Sequence, residues 1–368
     1  MNPKNALQAI ASLPSSTLPV VTGFDGFVDE MISVVAERKS LDSYSTVLDI
    51  PTFGGLVTAA AGQSSLREIV VNAVHPGGCA VNLGDGLAAL GVPVDCYATL
   101  GEPVHPAFSE QIAKFRRAVS WGNEPGRTLA FEFADGKLMF SSVKPLAEFT
   151  AEDVGTRLQD GAYQASCHGA AIIALTDWTL YPHMTAVWRM LIHTVYSKLT
   201  HRPHFFIDLV DPSSRSPEDI RAMLDTLPFL EKNGPVTLGL NGNEANILAR
   251  LLNRESAGDP TSSMRLAGEL AETLGLSGVV IHHLKYAVSH RDGNSWCVTG
   301  PYCEKPLKST GAGDRFNAGY CLGLLASAAP EECLALGCAV AGFFVRNAAS
   351  PSRGDLEGFL TQWAEDQL

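Results

Sequence analysis

The chain has 368 residues, is 46% hydrophobic and carries a formal net charge of -12. That acidity argues against a protein that grips nucleic acid by neutralising phosphates, although a local positive site for a small anionic ligand stays open. The length suits one large α/β domain with a sizeable core.

The N-terminal stretch "MNPKNALQAIASLPSSTLPVV" has one lysine and lacks a long apolar segment, so a signal peptide is not expected. No apolar run is long enough to span a membrane; "CLGLLASAAPEECLALGCAVAGFF" is interrupted by Pro330, Glu331 and Glu332. The eight cysteines form no C-x-x-C pair, and most read as reduced core thiols. The expectation is a cytoplasmic protein with neither a nucleic-acid nor a membrane partner.

In chain order, residues 23–32 ("GFDGFVDEMI") read as a strand. Residues 51–65 read as a loop with a short helix, and residues 66–74 ("LREIVVNAV") as another strand. At 127–142 ("RTLAFEFADGKLMFSS") apolar and polar residues alternate around Asp135-Gly136, a hairpin signature. These pieces predict a small sheet standing off the main domain. Four later apolar runs each turn polar at the carboxyl end: "AAIIALTDW", "HFFIDLVD", "VTLGLNGNE" and "GVVIHHLK". Helical patterns over 216–227 and 243–252 separate them. Buried strands alternating with helices predict a parallel sheet covered on both faces. Ligands bind beyond the carboxyl ends of such strands.

Within this frame Asp208, Asp211 and Arg215 read as a local ion pair in a Pro-Ser turn, and Trp178 as a packing or cleft residue. Adjacent His282 and His283 on a strand point to opposite faces, so a shared metal is not expected. At 308–316, "KSTGAGDRF", small residues precede Asp314 where a helical pattern begins. Backbone N–H groups at a helix start lack intrahelical partners and favour an anion. Asp314 beside such a site suits a base that takes a proton from an attacking hydroxyl. A plain helix cap with a glycine turn is an equal alternative on this stretch alone.

The whole pattern resembles the ribokinase-like (PfkB) family of carbohydrate kinases. Lys308 to Phe316 is similar to its closing signature D-T-x-G-A-G-D-x-F. Gly77, Gly78 and Asn82 in "HPGGCAVNLGDGLAALG" match its G-G-x-x-x-N element, and Asn241 and Glu244 in "LNGNEAN" its N-x-x-E element. "GFDGFVDE" resembles its first strand. The resemblance implies a mainly parallel sheet flanked by helices with a small β-sheet lid. A single kinase domain would span 1–368, with lid segments at about 23–34, 64–74 and 126–142. It implies ATP-dependent phosphorylation of a sugar hydroxyl, Mg²⁺ as cofactor, and a homodimer through the lid. A nucleoside or vitamin-precursor kinase and a non-catalytic sugar sensor are the alternatives.

By the same resemblance Asp314 is the catalytic base, and the N–H groups of Gly311, Ala312 and Gly313 hold the phosphoryl charge. Asp29, or Asp25 by a shift in spacing, binds acceptor hydroxyls, with Gly77, Gly78 and Asn82 closing on the acceptor. Arg127 is a candidate for an anionic group of the acceptor. Asn241 and Glu244 organise the nucleotide phosphates and Mg²⁺, in part through water; a helix cap with its capping box is the structural alternative. The sequence departs from the family twice. His282-His283-Leu284-Lys285 replaces a glycine-containing nucleotide stretch, where Lys285 could supply charge. Lys308 replaces an aspartate that helps to ligate a monovalent cation, and it is assigned with the nucleotide-binding residues.

Overall fold

A computed structural model describes residues 3–11, 13 and 18–368. Among these residues the strands form two sheets. The main one is built from β1 (Val20–Phe24), β5 (Val94–Ala98), β6 (Arg117–Ser120), β9 (Ile172–Thr176), β10 (His204–Asp208), β11 (Val236–Asn241), β12 (Gly278–His282), β13 (Tyr286–Arg291) and β14 (Asn294–Thr299). These nine strands lie in the order β14-β13-β12-β11-β10-β9-β1-β5-β6. From β6 to β12 every neighbouring pair is parallel; β13 and β14 add an antiparallel edge.

Side chains alternate across a strand, so a run that is apolar throughout must be covered twice. Strand β9 shows this. Ile173 and Leu175 enter one core cluster while Ile172 and Ala174 enter the other. The predicted helices appear close to their expected positions, at Pro217–Leu224 and Gly242–Leu251, with a further helix at Leu227–Asn233. The helix Ala312–Leu325 packs against Pro330–Asn347 over the sheet.

The second sheet has five strands: β2 (Phe27–Arg38), β3 (Tyr44–Thr46), β4 (Ile69–Gly77), β7 (Gly126–Phe133) and β8 (Gly136–Ser142). The hairpin turns on Ala134 and Asp135, with Gly136 opening β8. The 51–65 stretch contains the helix Ile50–Ala59, capped by Asp49, whose side chain accepts from Thr52 N at 2.6 Å. Phe53 holds this helix on the sheet, its ring 5.4 Å from Phe133 and 5.9 Å from Phe131. The expected lid segment at 23–34 straddles both sheets, because Gly23 and Phe24 finish β1 and the lid strand starts only at Phe27.

All eight cysteines are free thiols. Among the described residues no helix is long and apolar enough to cross a membrane.

Candidate active site

The parallel strands end on one edge, and their last residues or the next ones are polar: Asp25 after β1, Thr176 and Asp177 at β9, Asp208 at β10, Asn241 at β11 and His282 at β12. Register brings them side by side, since Thr176 pairs with Asp208 and Asn241 with His282. Burial makes this edge electrostatically unusual. The Asp25 carboxyl is pushed up to about 6, chiefly by burial and further by Asp314. Asp208 rises to about 7, again through burial and then Asp314. Asp177 is raised well above the ordinary carboxylate range by burial and the Asp25 charge.

Asp314 sits in the first turn of the Ala312–Leu325 helix and is 8% exposed. Burial raises its pKa; Arg315 and hydrogen bonds from Cys79 and Asn82 pull the other way. Asn82 Nδ2 donates to Asp314 Oδ2 at 2.9 Å. Gly311 caps the helix with φ 85°, a left-handed conformation suited to glycine. The N–H of Ala312 donates to Ser309 O at 3.1 Å. Ala312 is therefore not an open donor in this conformation, contrary to its expected role. Among the described residues the N–H groups of Gly311, Gly313 and Asp314 have no protein acceptor, so the open donors at this helix start are these three.

The two glycines before Asn82 serve the two first-strand aspartates. A β-carbon on Gly77 would come 2.5 Å from Asp29 Oδ2, and Gly78, with φ 97°, lies against the Asp25 carbonyl. Their absence of side chains lets the helix Cys79–Ala89 start directly on Asp25. Its carboxylate accepts from Cys79 N, from Ala80 N at 2.9 Å and from Thr176 Oγ1 at 2.6 Å. Asp25 is thus tied to the helix start, whereas Asp29 opens into a cavity of about 950 Å³ that Asn82 also lines. Burial raises the Asp29 pKa, with Thr128, Lys308 and Lys137 opposing.

A second cavity, of about 580 Å³, lies on the other side of the glycine turn, lined by Asn241, His282, Gly313 and Phe316 among others. Ser309 borders both cavities. Asn241 and Glu244 form a full capping box: Glu244 Oε2 accepts from Asn241 N at 2.8 Å and Asn241 Oδ1 accepts from Glu244 N at 3.0 Å. The helix-cap geometry is therefore present, and it leaves each carboxylate oxygen a further lone pair. Glu244 is pushed up to about 8 by burial and by Asp208, Asp211 and Asp314.

Three expected placements change. Arg127 is not in the lining of the cavity that Asp29 opens into. Asp29 pairs with Thr128 and Val28 with Arg127, so Arg127 projects from the opposite face of the lid, where Nε and Nη2 donate to Glu30 at 2.8 Å each. Lys308, expected among the nucleotide-binding residues, lines the cavity that Asp29 opens into and not the one that Asn241 lines. Its ammonium lies 5.7 Å from the Phe344 ring centroid. Lys285 is exposed and stands over Tyr302 at 5.0 Å, outside the lining of either cavity.

The local ion pair expected among Asp208, Asp211 and Arg215 does not form; the Arg215 guanidinium instead lies 3.5 Å from Asp219. Arg215 donates to the Thr179 and Tyr181 carbonyls at 3.1 Å and stacks on Trp178, which is fully buried. Asp208 instead accepts from Asn317 Nδ2 at 2.6 Å. Sequence reasoning also missed Arg315, 6% exposed, whose Nη2 donates to Asp85 at 2.8 Å beside the glycine turn. Its only signal was its position directly after Asp314 in the glycine signature.

A family model described as prokaryotic ketohexokinase matches residues 4–363. A ketohexokinase of Haloferax volcanii is 28% identical over 349 residues, covering 94% of this chain and 92% of the relative. Among solved structures, ribokinase of Arabidopsis thaliana complexed with ribose and ATP superposes with a TM-score of 0.64 at 16% identity, covering 94% of this chain and 99% of that one. A point mutant of phosphofructokinase-2 from Escherichia coli gives 0.63 at 15% identity, covering 95% and 99%. The ribokinase-like fold is therefore shared, and the chain belongs to the prokaryotic ketohexokinase family of ribokinase-like sugar kinases.

Proposed function

We propose that this ATP-dependent sugar kinase phosphorylates a ketohexose on a hydroxymethyl group, with Asp314 as the general base. The observation that carries the reading is the position of Asp314, held by Asn82 beside unpartnered N–H groups at a turn bordered by two cavities. The acceptor occupies the cavity with Asp29 and Asn82, and ATP the one with Asn241 and His282. The acceptor hydroxyl oxygen bonds to the γ-phosphorus while the bond from that phosphorus to the β,γ-bridging oxygen breaks, and ADP leaves. Asp314 takes the hydroxyl proton. The N–H groups of Gly311, Gly313 and Asp314 face the phosphoryl oxygens, whose charge they stabilise without reorganising.

Among the described residues no three acidic, histidine or cysteine side chains gather closely enough to chelate a metal. The raised carboxyls of Glu244 and Asp208 nevertheless mark an excess of negative charge that a hydrated dication would relieve. That donor set fits Mg²⁺ held through water by Glu244, with Asn241 orienting it, and the ion would supply charge neutralisation to the phosphates. The lid strands bearing Asp29 cover the acceptor and exclude water. Exposed Ile69, Val71 and Phe140 on those strands support a homodimer through the lid, and the free thiols support a cytoplasmic setting.

A substrate panel read by ADP release tests this. Turnover is expected with ATP, Mg²⁺ and a ketohexose, with a phosphomonoester at a primary carbon by phosphorus NMR. Preferential turnover of nucleosides, or nucleotide binding without turnover of any sugar, would overturn the ketohexose assignment.

A further inference from the structure

We propose that His282 is a phosphate-positioning residue whose imidazole N–H donates to a phosphate oxygen of the bound nucleotide and seats it against the glycine turn. This rests on the nucleotide occupying the cavity that Asn241 and Gly313 line.

His282 ends β12, and its ring lies 5.1 Å from that of Phe316. A β-carbon on Gly313 would be 3.3 Å from His282 Cε1 and 3.5 Å from Nε2, so the imidazole leans on the turn that carries Asp314. Its neighbours show how unusual the ring is. His204 bonds Thr237 Oγ1 at 2.8 Å, His290 bonds Ser295 Oγ at 2.8 Å, and His283 reaches Ser263 Oγ at 3.2 Å while stacking on Tyr286. The ring nitrogens of His282 have no hydrogen-bond partner among the described residues. His282 is half-buried and lines the cavity, so a ring with no protein partner there is free to meet a ligand.

The lining of that cavity contains no lysine or arginine. The side chains and backbone of this lining can therefore meet phosphates only with neutral donors: backbone N–H groups, amides and this imidazole. Burial lowers the His282 pKa to about 4, so the ring is uncharged at neutral pH and offers one N–H and one acceptor. Its contribution is orientation rather than charge.

The test is a binding series on the full chain with adenosine, AMP, ADP and the β,γ-methylene analogue of ATP. His282→Phe keeps an aromatic ring against Phe316 but has no donor. His282→Gln has a donor but no ring. The Phe variant is expected to lose roughly ten- to hundredfold in affinity for ADP and the ATP analogue, the scale of one hydrogen bond to a charged group, while adenosine binds as before. The Gln variant should lie nearer the unmodified protein. A Phe variant with unchanged ADP affinity, or one that loses adenosine equally, would overturn the assignment. The wild-type controls separate the two levels. An unmodified protein that phosphorylates sugar with ATP while the variants bind normally removes only the role of His282. An unmodified protein that binds no adenine nucleotide removes the cavity assignment with it.

Discussion

Asn82 donates to Asp314 at 2.9 Å across 232 residues of sequence. The bond joins the helix that begins on Asp25 to the helix that begins at the glycine turn. It fixes the orientation of the candidate base and uses one lone pair of a buried carboxylate. Charge-assisted hydrogen bonds of this kind are stronger than neutral ones. Asp314 is thus oriented from one side by an amide, and although it lines neither cavity itself, its helix-start neighbours Ala312 and Gly313 line one of them and Thr310 the other.

Replacing Asp314 by Asn keeps the shape and a hydrogen-bonding side chain but removes the proton acceptor. The rate constant kcat should fall by roughly 10²- to 10⁴-fold, with thermal stability and nucleotide affinity close to those of the unmodified protein. Steady-state kinetics alongside a melting curve check this; near-normal turnover in a folded variant excludes Asp314 as the base.

Asn82→Ala should act on kcat more than on either KM, because it releases the base without removing it. A loss of roughly ten- to hundredfold is expected, the size of one hydrogen bond to a charged group. Asn82→Asp should be worse, since it sets a second carboxylate beside the first. A variant that alters only the sugar KM would show Asn82 to be an acceptor contact rather than a positioning residue.

Acid groups at the sheet edge should make the unliganded protein less stable as pH rises. Asp25, Asp208 and Glu244 have folded pKa values of about 6, about 7 and about 8, all above the ordinary carboxylate range. Between about pH 4 and pH 8 the folded state therefore binds more protons than the unfolded chain, and stability falls as those protons leave. Tm should decline from about pH 5 to pH 8. Asp208→Asn should flatten that slope, and Mg²⁺ with ATP should raise Tm more at the alkaline end of the window than at the acid end. A Tm that climbs over this window would show that the carboxyls ionise without cost.

The strand ends carrying Thr176, Asp208, Asn241 and His282 are legible in the sequence because each buried run becomes polar at one end, a pattern that parallel sheets impose. The hairpin is legible from alternation around Asp135. The order of the strands is not, and it decides which acids meet. Asp208 looks like a turn residue because its neighbours in sequence, Asp211 and Arg215, offer a simpler pairing. Only the placement of β10 beside β9 brings it toward Asp314 and Asn317. Arg127 is misread for a similar reason. The register of β7 against β2 puts Thr128, not Arg127, beside Asp29, and a shift of one residue reverses every side chain of a strand.

Lys308 is expected to make the enzyme indifferent to the choice of monovalent cation and to contribute to acceptor binding. The residue stands where the resemblance places an ion-binding aspartate, so a cation ligand is replaced by a cation. Its ammonium and the Arg315 guanidinium lie over the same Phe344 ring, at 5.7 and 4.6 Å from the centroid. Burial, then the charge of Arg315, lowers the pKa of Lys308, while Asp29 opposes that shift. Among the described residues no carboxylate lies within ion-pair distance of its nitrogen, which leaves its N–H groups for an oxygen of the acceptor. Rates should match in Na⁺, K⁺ and tetramethylammonium at equal ionic strength. Lys308→Met should raise the sugar KM about tenfold or more with little change in the ATP KM, because the lost donor faces the acceptor cavity. Lys308→Asp should be more harmful, and comparing it in K⁺ and Na⁺ reads out any gained cation response. Strong K⁺ activation of the unmodified protein would refute the charge replacement, and an ATP KM that rises alone would return Lys308 to the nucleotide side.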